Sequence, residues 1–445
     1  MKRYNLILKR VLLSFLFLIL VNPAFSQDTL TLEETFSIAI KENLDVKISA
    51  NNKEKANNKS KMGNAGLLPK INLIGSGSYN QGESSLDFAT NEFTSLKDVS
   101  SETSNINGAI EVSYNVFNGL GSINTYKKLN KQNDVKSIEL KIQIEQTLIQ
   151  SAKHYYDIAF LQEQHSINIK LVKISLERYK RIKIQNEFGN ASHLDVLSAE
   201  IDLNSDSINL ISTSIELNNS KNILNQILNR QIDTDFIVIQ KVNINKDLKY
   251  LILKEQVLNN NNNIQLQQNK LEIAKTNKKI TRSNFMPNIN LSGQYGYNNM
   301  QSNTSIITDQ TNLGTTGYIN LSWNLFDGFS KQTKLQNAKI DIESSKLQLE
   351  GVKNEINKDL SNTFNQYTNN INLIEIETRN LATAEKFFTR AKEQFYQGHL
   401  SRNDFRIAQV DLGQSKNRLN RSNYIAKIAE LNLYRLSAQI IQINN

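Results

Sequence analysis

The sequence predicts an α+β membrane protein built as two copies of one plan, each copy supplying a pair of barrel strands and a pair of long helices. Three observations carry this expectation. Landmark segments recur at fixed offsets, strict apolar/polar alternation follows Pro69 and Pro287, and two segments of about 70 residues run without proline.

The duplication sets the organisation. Leu68-Pro69-Lys70-Ile71-Asn72-Leu73 recurs as Met286-Pro287-Asn288-Ile289-Asn290-Leu291 at an offset of 218. Ser113-Tyr114-Asn115-Val116-Phe117-Asn118-Gly119 recurs as Ser322-Trp323-Asn324-Leu325-Phe326-Asp327-Gly328 at an offset of 209, so the first copy is 9 residues longer between these landmarks. Extra residues of this kind collect in loops. A third pair, Gly189 to Asp195 and Gly398 to Asp404, keeps the offset of 209, and 72 residues separate Phe117 from Gly189 and Phe326 from Gly398 alike. A span held that constant is not a loop.

Strands follow the prolines. Ile71, Leu73, Gly75, Gly77 and Tyr79 alternate with Asn72, Ser76, Ser78 and Asn80, with Ile74 off pattern. The returning strand sets Ile106, Gly108, Ile110, Val112, Tyr114 and Val116 against Asn107, Glu111, Ser113 and Asn115. The second copy repeats this with Ile289, Leu291, Gly293, Tyr295 and Tyr297, then with Ile319, Leu321, Trp323 and Leu325. Runs of about ten residues suit tilted transmembrane strands, and a half-buried soluble sheet would alternate in the same way. Four strands cannot close a barrel, and lipid tolerates no open edge, so strands that span must be shared among several chains. Polar, Thr/Ser-rich tips are expected at about 81–105 and 299–315.

Each strand pair leads into a Pro-free segment that as one helix would measure about 105 Å, too long for a compact domain of this mass. In residues 193–230, Ile201, Ile208 and Ile215 recur every seven residues, as do Leu203, Leu210, Leu217 and Leu224. The two rows lie about 200° apart round a helix, so each needs its own neighbour, as in the wall of a tube. Heptad spacing also links Ile142, Ile149 and Tyr156, and Ala152 with Ala159. The Gly-x-x-Ser-x-x-Asp segments join such helices. Gly189 and Gly398 end one helix in the left-handed conformation, Ser192 and Ser401 cap the next, and Asp195 and Asp404 follow near its positive start.

The chain of 445 residues begins Met1-Lys2-Arg3, continues with an apolar run at 11–21, and reaches a small-residue site ending at Ser26. This reads as a secretory signal peptide over 1–26. Its removal takes four basic residues and no acid, lowering the formal charge from +9 to +5. Lys and Arg alternate with Asp and Glu along the helices, so no nucleic-acid partner is expected. With no Cys, disulfides, thiol chemistry and lipid attachment through Cys are excluded. The four histidines, His154, His165, His193 and His399, fall in no metal or catalytic pattern. No enzyme activity, cofactor or metal is expected.

With these features together, the chain resembles the TolC-like outer membrane efflux protein (OEP) family over essentially its whole mature length. The resemblance implies a homotrimer in the outer membrane lipid, with four strands per chain in a twelve-stranded transmembrane β-barrel continued by a long periplasmic α-helical barrel. It implies a passive exit duct in a tripartite efflux or type I secretion system. The partners would be a periplasmic adaptor (membrane fusion protein) and an inner membrane pump of RND, ABC or MFS type. The adaptor-contact tips would be Gly189, Asn190, Ala191 and Ser192 with Gly398, His399, Leu400 and Ser401. Asp404 would be the periplasmic gate residue. Family members often carry Asp-x-x-Asp after the second reversal, and here the second position is Ile407.

On this reading residues 27–232 form the first repeat, with a hairpin at about 70–117 and a tip at 189–192. Residues 233–250 form a linking segment with Phe236-Ile237-Val238-Ile239, expected in a small mixed belt around the middle of the tube, and 251–445 form the second repeat, with a hairpin at about 288–326 and a tip at 398–401. Asn259 to Asn263 is expected to start a helix. A surface structural or adhesive coiled-coil rod is the competing reading, which two lipid-compatible hairpins at equivalent positions disfavour.

Overall fold

The computed structural model describes residues 29–87 and 95–442. The signal peptide expected over 1–26 lies outside the described residues. The element order is β1 (Thr29–Leu30), α1 (Leu32–Glu42), α2 (Leu44–Lys59), β2 (Lys70–Leu86), β3 (Leu96–Phe117), α3 (Gly121–Glu187), α4 (His193–Ile227), β4 (Ile237–Val238), α5 (Tyr250–Asn260), α6 (Asn262–Ser283), β5 (Asn288–Ser302), β6 (Asp309–Ser322), α7 (Ser330–Gln397) and α8 (Arg402–Leu436). The repeat is visible element by element. At 67 and 68 residues, α3 and α7 are the long helices that the missing prolines predict, and α4 and α8 are 35 residues each. Asn43 and Asn261 stand 218 apart and do the same work: the Oδ1 of Asn43 accepts from the N–H of Asp45 and Val46, that of Asn261 from Asn263 and Ile264. The Asn-rich stretch at 259–263 is therefore a helix cap.

Two compact units cut across the repeats. One comprises residues 1–46, 144–253 and 360–445, the other 47–143 and 254–359, so each draws on both copies. The second unit holds a four-stranded antiparallel sheet in the order β2-β3-β5-β6. Lys70 faces Ser113 in the first hairpin and Asn288 faces Ser322 in the second, equivalent registers at the base. The extra 9 residues of the first copy therefore sit at its far end. The strands have 17, 22, 15 and 14 residues, longer than the expected runs of ten. The tips expected at 81–105 and 299–315 are correspondingly shorter: β2 continues to Leu86, β3 starts at Leu96, and the second connection runs only from 303 to 308. Alternation marks only the apolar band, whereas the Ser-, Thr- and Asn-rich ends keep the ladder through backbone bonds joined by side-chain bonds, such as Asn299 Nδ2 to Asp309 Oδ1 at 2.7 Å and to Thr311 Oγ1 at 2.9 Å.

The exposure of β3 inverts that of a soluble half-buried strand. Ile106, Ile110, Val112, Tyr114 and Val116 are exposed, at 56%, 52%, 42%, 37% and 54%, while Asn105, Asn107, Glu111, Ser113 and Asn115 between them are half-buried. In water an uncovered apolar face of this extent is costly, and in lipid it is the required outer face. The off-pattern Ile74 is explained by its row on the polar side: Ile74, Ala109, Gly296 and Gly314 lie side by side. Gly296 is needed there, since a Cβ would come within 2.8 Å of the Ala109 Cβ. In the second hairpin β6 stops at Ser322 and not at 326, leaving Trp323 and Leu325 outside the ladder. The repeat-equivalent Tyr114 to Phe117 remain strand because β5 pairs with them.

The first unit carries the larger apolar core. Leu148, Ala152, Tyr155, Tyr156, Ile158 and Ala159 of α3 pack with Leu217 and Leu224 of α4, Tyr424 and Leu431 of α8, and Phe36 of α1. The linking segment joins this core through a two-residue strand and a buried phenylalanine. β4 pairs in parallel with β1, Phe236 is fully buried, and the Tyr155 hydroxyl accepts from the Ile239 N–H at 3.1 Å and contacts the Leu30 carbonyl at 3.1 Å. The two seams of α4 diverge as the heptads require. Leu217 and Leu224 are buried at 9% and 0%, while Ile201, Ile208 and Ile215 are exposed at 68%, 62% and 56%. No described helix is long and apolar enough to cross a membrane.

Candidate functional site

The two helix-to-helix reversals of the first unit share one backbone device. Gly189 (φ 75) and Gly398 (φ 80) are left-handed. The Asn190 N–H donates to the Gln185 carbonyl at 2.8 Å and the Gly189 N–H to Asn186 at 3.0 Å; His399 and Gly398 donate likewise to Gln394 at 2.9 Å and Phe395 at 3.1 Å. These nested bonds satisfy the last carbonyls of α3 and α7. A Cβ on either glycine would meet nothing within 4 Å, so the requirement for glycine is conformational.

The next helices are capped by the predicted serines. Ser192 Oγ accepts from the Asp195 N–H at 3.2 Å, and Asp195 Oδ2 accepts from the Ser192 N–H at 2.9 Å and its hydroxyl at 2.7 Å. Asp thus takes the place of Glu or Gln in a capping box, contributing about 1 kcal/mol. At the second reversal Ser401 Oγ accepts from the Asp404 N–H at 3.2 Å, and its hydroxyl donates to Asp404 Oδ2 at 2.6 Å.

The side chains around the two devices differ. Asn186 Nδ2 donates to the Ala191 carbonyl at 2.8 Å, and the Asp195 carboxylate is paired with Arg402 from the other reversal. Around Gly398, the Phe395 ring stacks on buried Phe405 with centroids 4.6 Å apart at 8°. Arg181 of α3 lies 4.9 Å over the Tyr396 ring and donates to its carbonyl at 2.9 Å. The predicted tip residues are therefore brought together, and a cleft of about 550 Å³ lies between the reversals, lined by Arg181, Gln185, Asn190, Leu400, Arg402 and Asn403 among others. Asn190, Ser192, His399 and Ser401 are exposed, Ala191 and Leu400 half-buried. Asp404 lies outside the cleft lining, is exposed, and among the described residues bonds only within its own cap.

Behind the tips lies a buried polar network that the tip motifs do not announce. Arg406 of α8 holds Asp206 of α4 bidentately, Nη1 to Oδ2 at 2.7 Å and Nη2 to Oδ1 at 2.8 Å. The Ser175 hydroxyl of α3 also donates to Asp206, and Gln409 Nε2 donates to Ser175 Oγ at 3.0 Å. Arg178 Nη2 donates to Asp202 Oδ2 at 2.6 Å. Burial pulls the Arg178 guanidinium downward, with Asp202 opposing; at Arg406 burial pulls downward too but is outweighed by the Asp206 bonds, leaving it raised. A signal for this existed in the sequence. Asp206 falls between Leu203 and Leu210 at the spacing of the buried seam, where an acid requires a partner. Among the described residues no group of three or more His, Cys, Asp or Glu side chains could hold a metal ion.

The fold agrees with that of known proteins. The chain is similar to the CusC channel structure, solved in a study of folding and transmembrane channel formation, at 18% identity and TM-score 0.73, covering 91% of each chain. The CmeC outer membrane channel of Campylobacter jejuni superposes with TM-score 0.76 at 14% identity over 92% of this chain and 86% of that one. The open state of the MtrE outer membrane channel of Neisseria gonorrhoeae gives 0.70 at 14% identity, covering 92% and 89%. No curated protein sequence matches the chain. The family described as Outer membrane efflux protein matches residues 35–230 and 253–439, both repeats. The chain belongs to that family of outer membrane efflux proteins.

Proposed function

We propose that three copies of this chain close a twelve-stranded barrel and a helical tube, forming a passive duct through which an inner membrane pump expels substrates by way of a periplasmic adaptor. The observation that carries this reading is the sheet of four strands, apolar on its exposed face, polar on the other, and open at both β2 and β6. Lipid cannot accept those two edges, and copies of the chain supply partners for both. The exposed Ile201, Ile208 and Ile215 seam of α4 supports the same assembly, since it needs a cover that this chain does not provide.

The two reversals serve as the adaptor-contact tips. Their glycine-capped ends expose small and polar residues on a preformed cleft, a surface suited to a helical hairpin. Asp404 contributes one carboxylate per copy to a cation-attracting ring at the periplasmic end. Its exposure supports this role, as does the contrast with Asp195, whose charge is already matched by Arg402. Cargo selection belongs to the pump, so efflux and type I secretion use the same duct.

The test is native mass spectrometry of detergent-extracted protein followed by planar-bilayer recording. Trimers that conduct support the duct. A monomer soluble without detergent, or a trimer with no conductance under any adaptor or voltage, overturns it in favour of a surface rod.

A further inference from the structure

The two open edges of the sheet carry instructions for how they join. β3 already pairs with β5, that is, the second strand of one repeat with the first strand of the next: Asn115 lies opposite Asn290, Tyr114 opposite Leu291, Val112 opposite Gly293, and Ile110 opposite Tyr295. β6 is the equivalent of β3 at an offset of 209, and β2 the equivalent of β5 at 218. Resting on the trimeric reading above, we infer that β6 of one copy pairs with β2 of a second copy in the register obtained by these offsets. Asn324 then lies opposite Asn72, Trp323 opposite Leu73, Leu321 opposite Gly75, and Ile319 opposite Gly77.

Three features of the chain agree with this register. The first is the match of faces. Trp323, Leu321 and Ile319 meet Leu73, Gly75 and Gly77 on the apolar side, and Asn324 meets Asn72 on the polar side. A slip of one residue would set every apolar side chain against a polar one. Within the chain, Asn115 Nδ2 donates to Asn290 Oδ1 at 2.8 Å and to Asn288 Oδ1 at 2.5 Å. At the junction Asn324 has Asn72 and Lys70 in those places, and its carboxamide can accept from the ammonium and donate to the amide.

The second is an empty contact. Gly119 (φ 64) is packed so closely that a Cβ would stand 2.6 Å from the Met286 Cβ, whereas at its equivalent Gly328 (φ 66) a Cβ would meet nothing within 4 Å. The repeat equivalent of Met286 is Leu68, which is 53% exposed in its own chain. Leu68 of the second copy fills the space at Gly328. The third is the early end of β6: residues 323–326 leave the ladder only because the strand that would hold them belongs to another copy.

The chain has no Cys, so engineered pairs report without background. The test is oxidation, in outer membranes, of the full chain carrying Asn72→Cys with Asn324→Cys. Trp323→Cys with Leu73→Cys is the second pair, and Asn324→Cys with Lys70→Cys or Ile74→Cys are the shifted controls. Covalent trimers on non-reducing gels are expected from both registered pairs, forming at least tenfold faster than from the shifted pairs. Dominant cross-linking of a shifted pair overturns the register while leaving the trimer intact. So does the lack of any cross-link in variants that remain trimeric by native mass spectrometry. Monomers of the unsubstituted protein overturn the closed barrel itself, a separate result.

Discussion

The reversal at Gly189 is held by polar groups, Asn186 on the Ala191 carbonyl and Arg402 on Asp195, whereas the one at Gly398 is held by stacked rings, Phe395 on Phe405. Their backbones are nearly the same, with matching left-handed glycines, nested carbonyl bonds and serine caps. The duplication preserved the turn and released its surroundings. The position of Asn186 became Phe395, the charge at Asp195 gained a partner across the cleft, and the charge at Asp404 did not.

The contrast can be broken most forcefully at its apolar side. Phe405→Ala removes the stacked ring from a buried site and is expected to cost about 3–5 kcal/mol, against about 1 kcal/mol for Asn186→Ala, which loses one hydrogen bond. Hydrogen exchange of the two reversals measures the difference; equal loosening of both would show that the rings do not hold the second one. Arg406→Met leaves Asp206 buried without its bidentate partner, and a loss of about 3–5 kcal/mol is expected in thermal unfolding. Exchange protection should fall in α4 and α8 together, since the network joins them.

Substitution at the glycines sharpens the shared part of the comparison. Gly189→Val and Gly398→Val should each strain the left-handed turn by about 1–2 kcal/mol while leaving trimers intact. Both should weaken capture of the adaptor in a pull-down, and unchanged capture by either variant would remove that tip from the contact. The smallest expected effect on stability separates the two carboxylates. Asp195→Asn frees Arg402 and loosens the cleft by about 1 kcal/mol or less. Asp404→Asn should leave stability almost unchanged yet reduce cation selectivity in bilayer recordings. Identical selectivity in wild type and Asp404→Asn would confine that residue to its cap.

Much of this architecture was legible before any coordinates. Constant offsets located α3, α4, α7 and α8, the prolines marked the starts of β2 and β5, and Gly-x-x-Ser-x-x-Asp marked both reversals. The true length of the strands was hidden because backbone pairing continues through Ser, Thr and Asn, where no apolar period reports it. β1 and β4, of two residues each, are too short to carry a period and exist only because their partners are brought together by the surrounding core. The Arg406–Asp206 pair escaped for another reason. The two are not repeat equivalents, since Asp206 corresponds to Ser415 and Arg406 to Leu197, so self-comparison of the sequence is blind to the pair.

The first hairpin outreaches the second, for β5 offers its last partner, Ser302, to Thr103, while β2 and β3 stay paired with each other up to Leu86 and Leu96. Just beyond that point Asn303 and Thr304 still bond to Ser100, Ser101 and Glu102, and the ribbon's composition, with Glu83, Asp98 and many serines, guards it against sticking to other strands. In the proposed duct, with the hairpins facing outward, the polar end of the first hairpin would be presented to whatever approaches the cell. Short epitope tags grafted there should be readable by antibodies on intact bacteria without disturbing passage below.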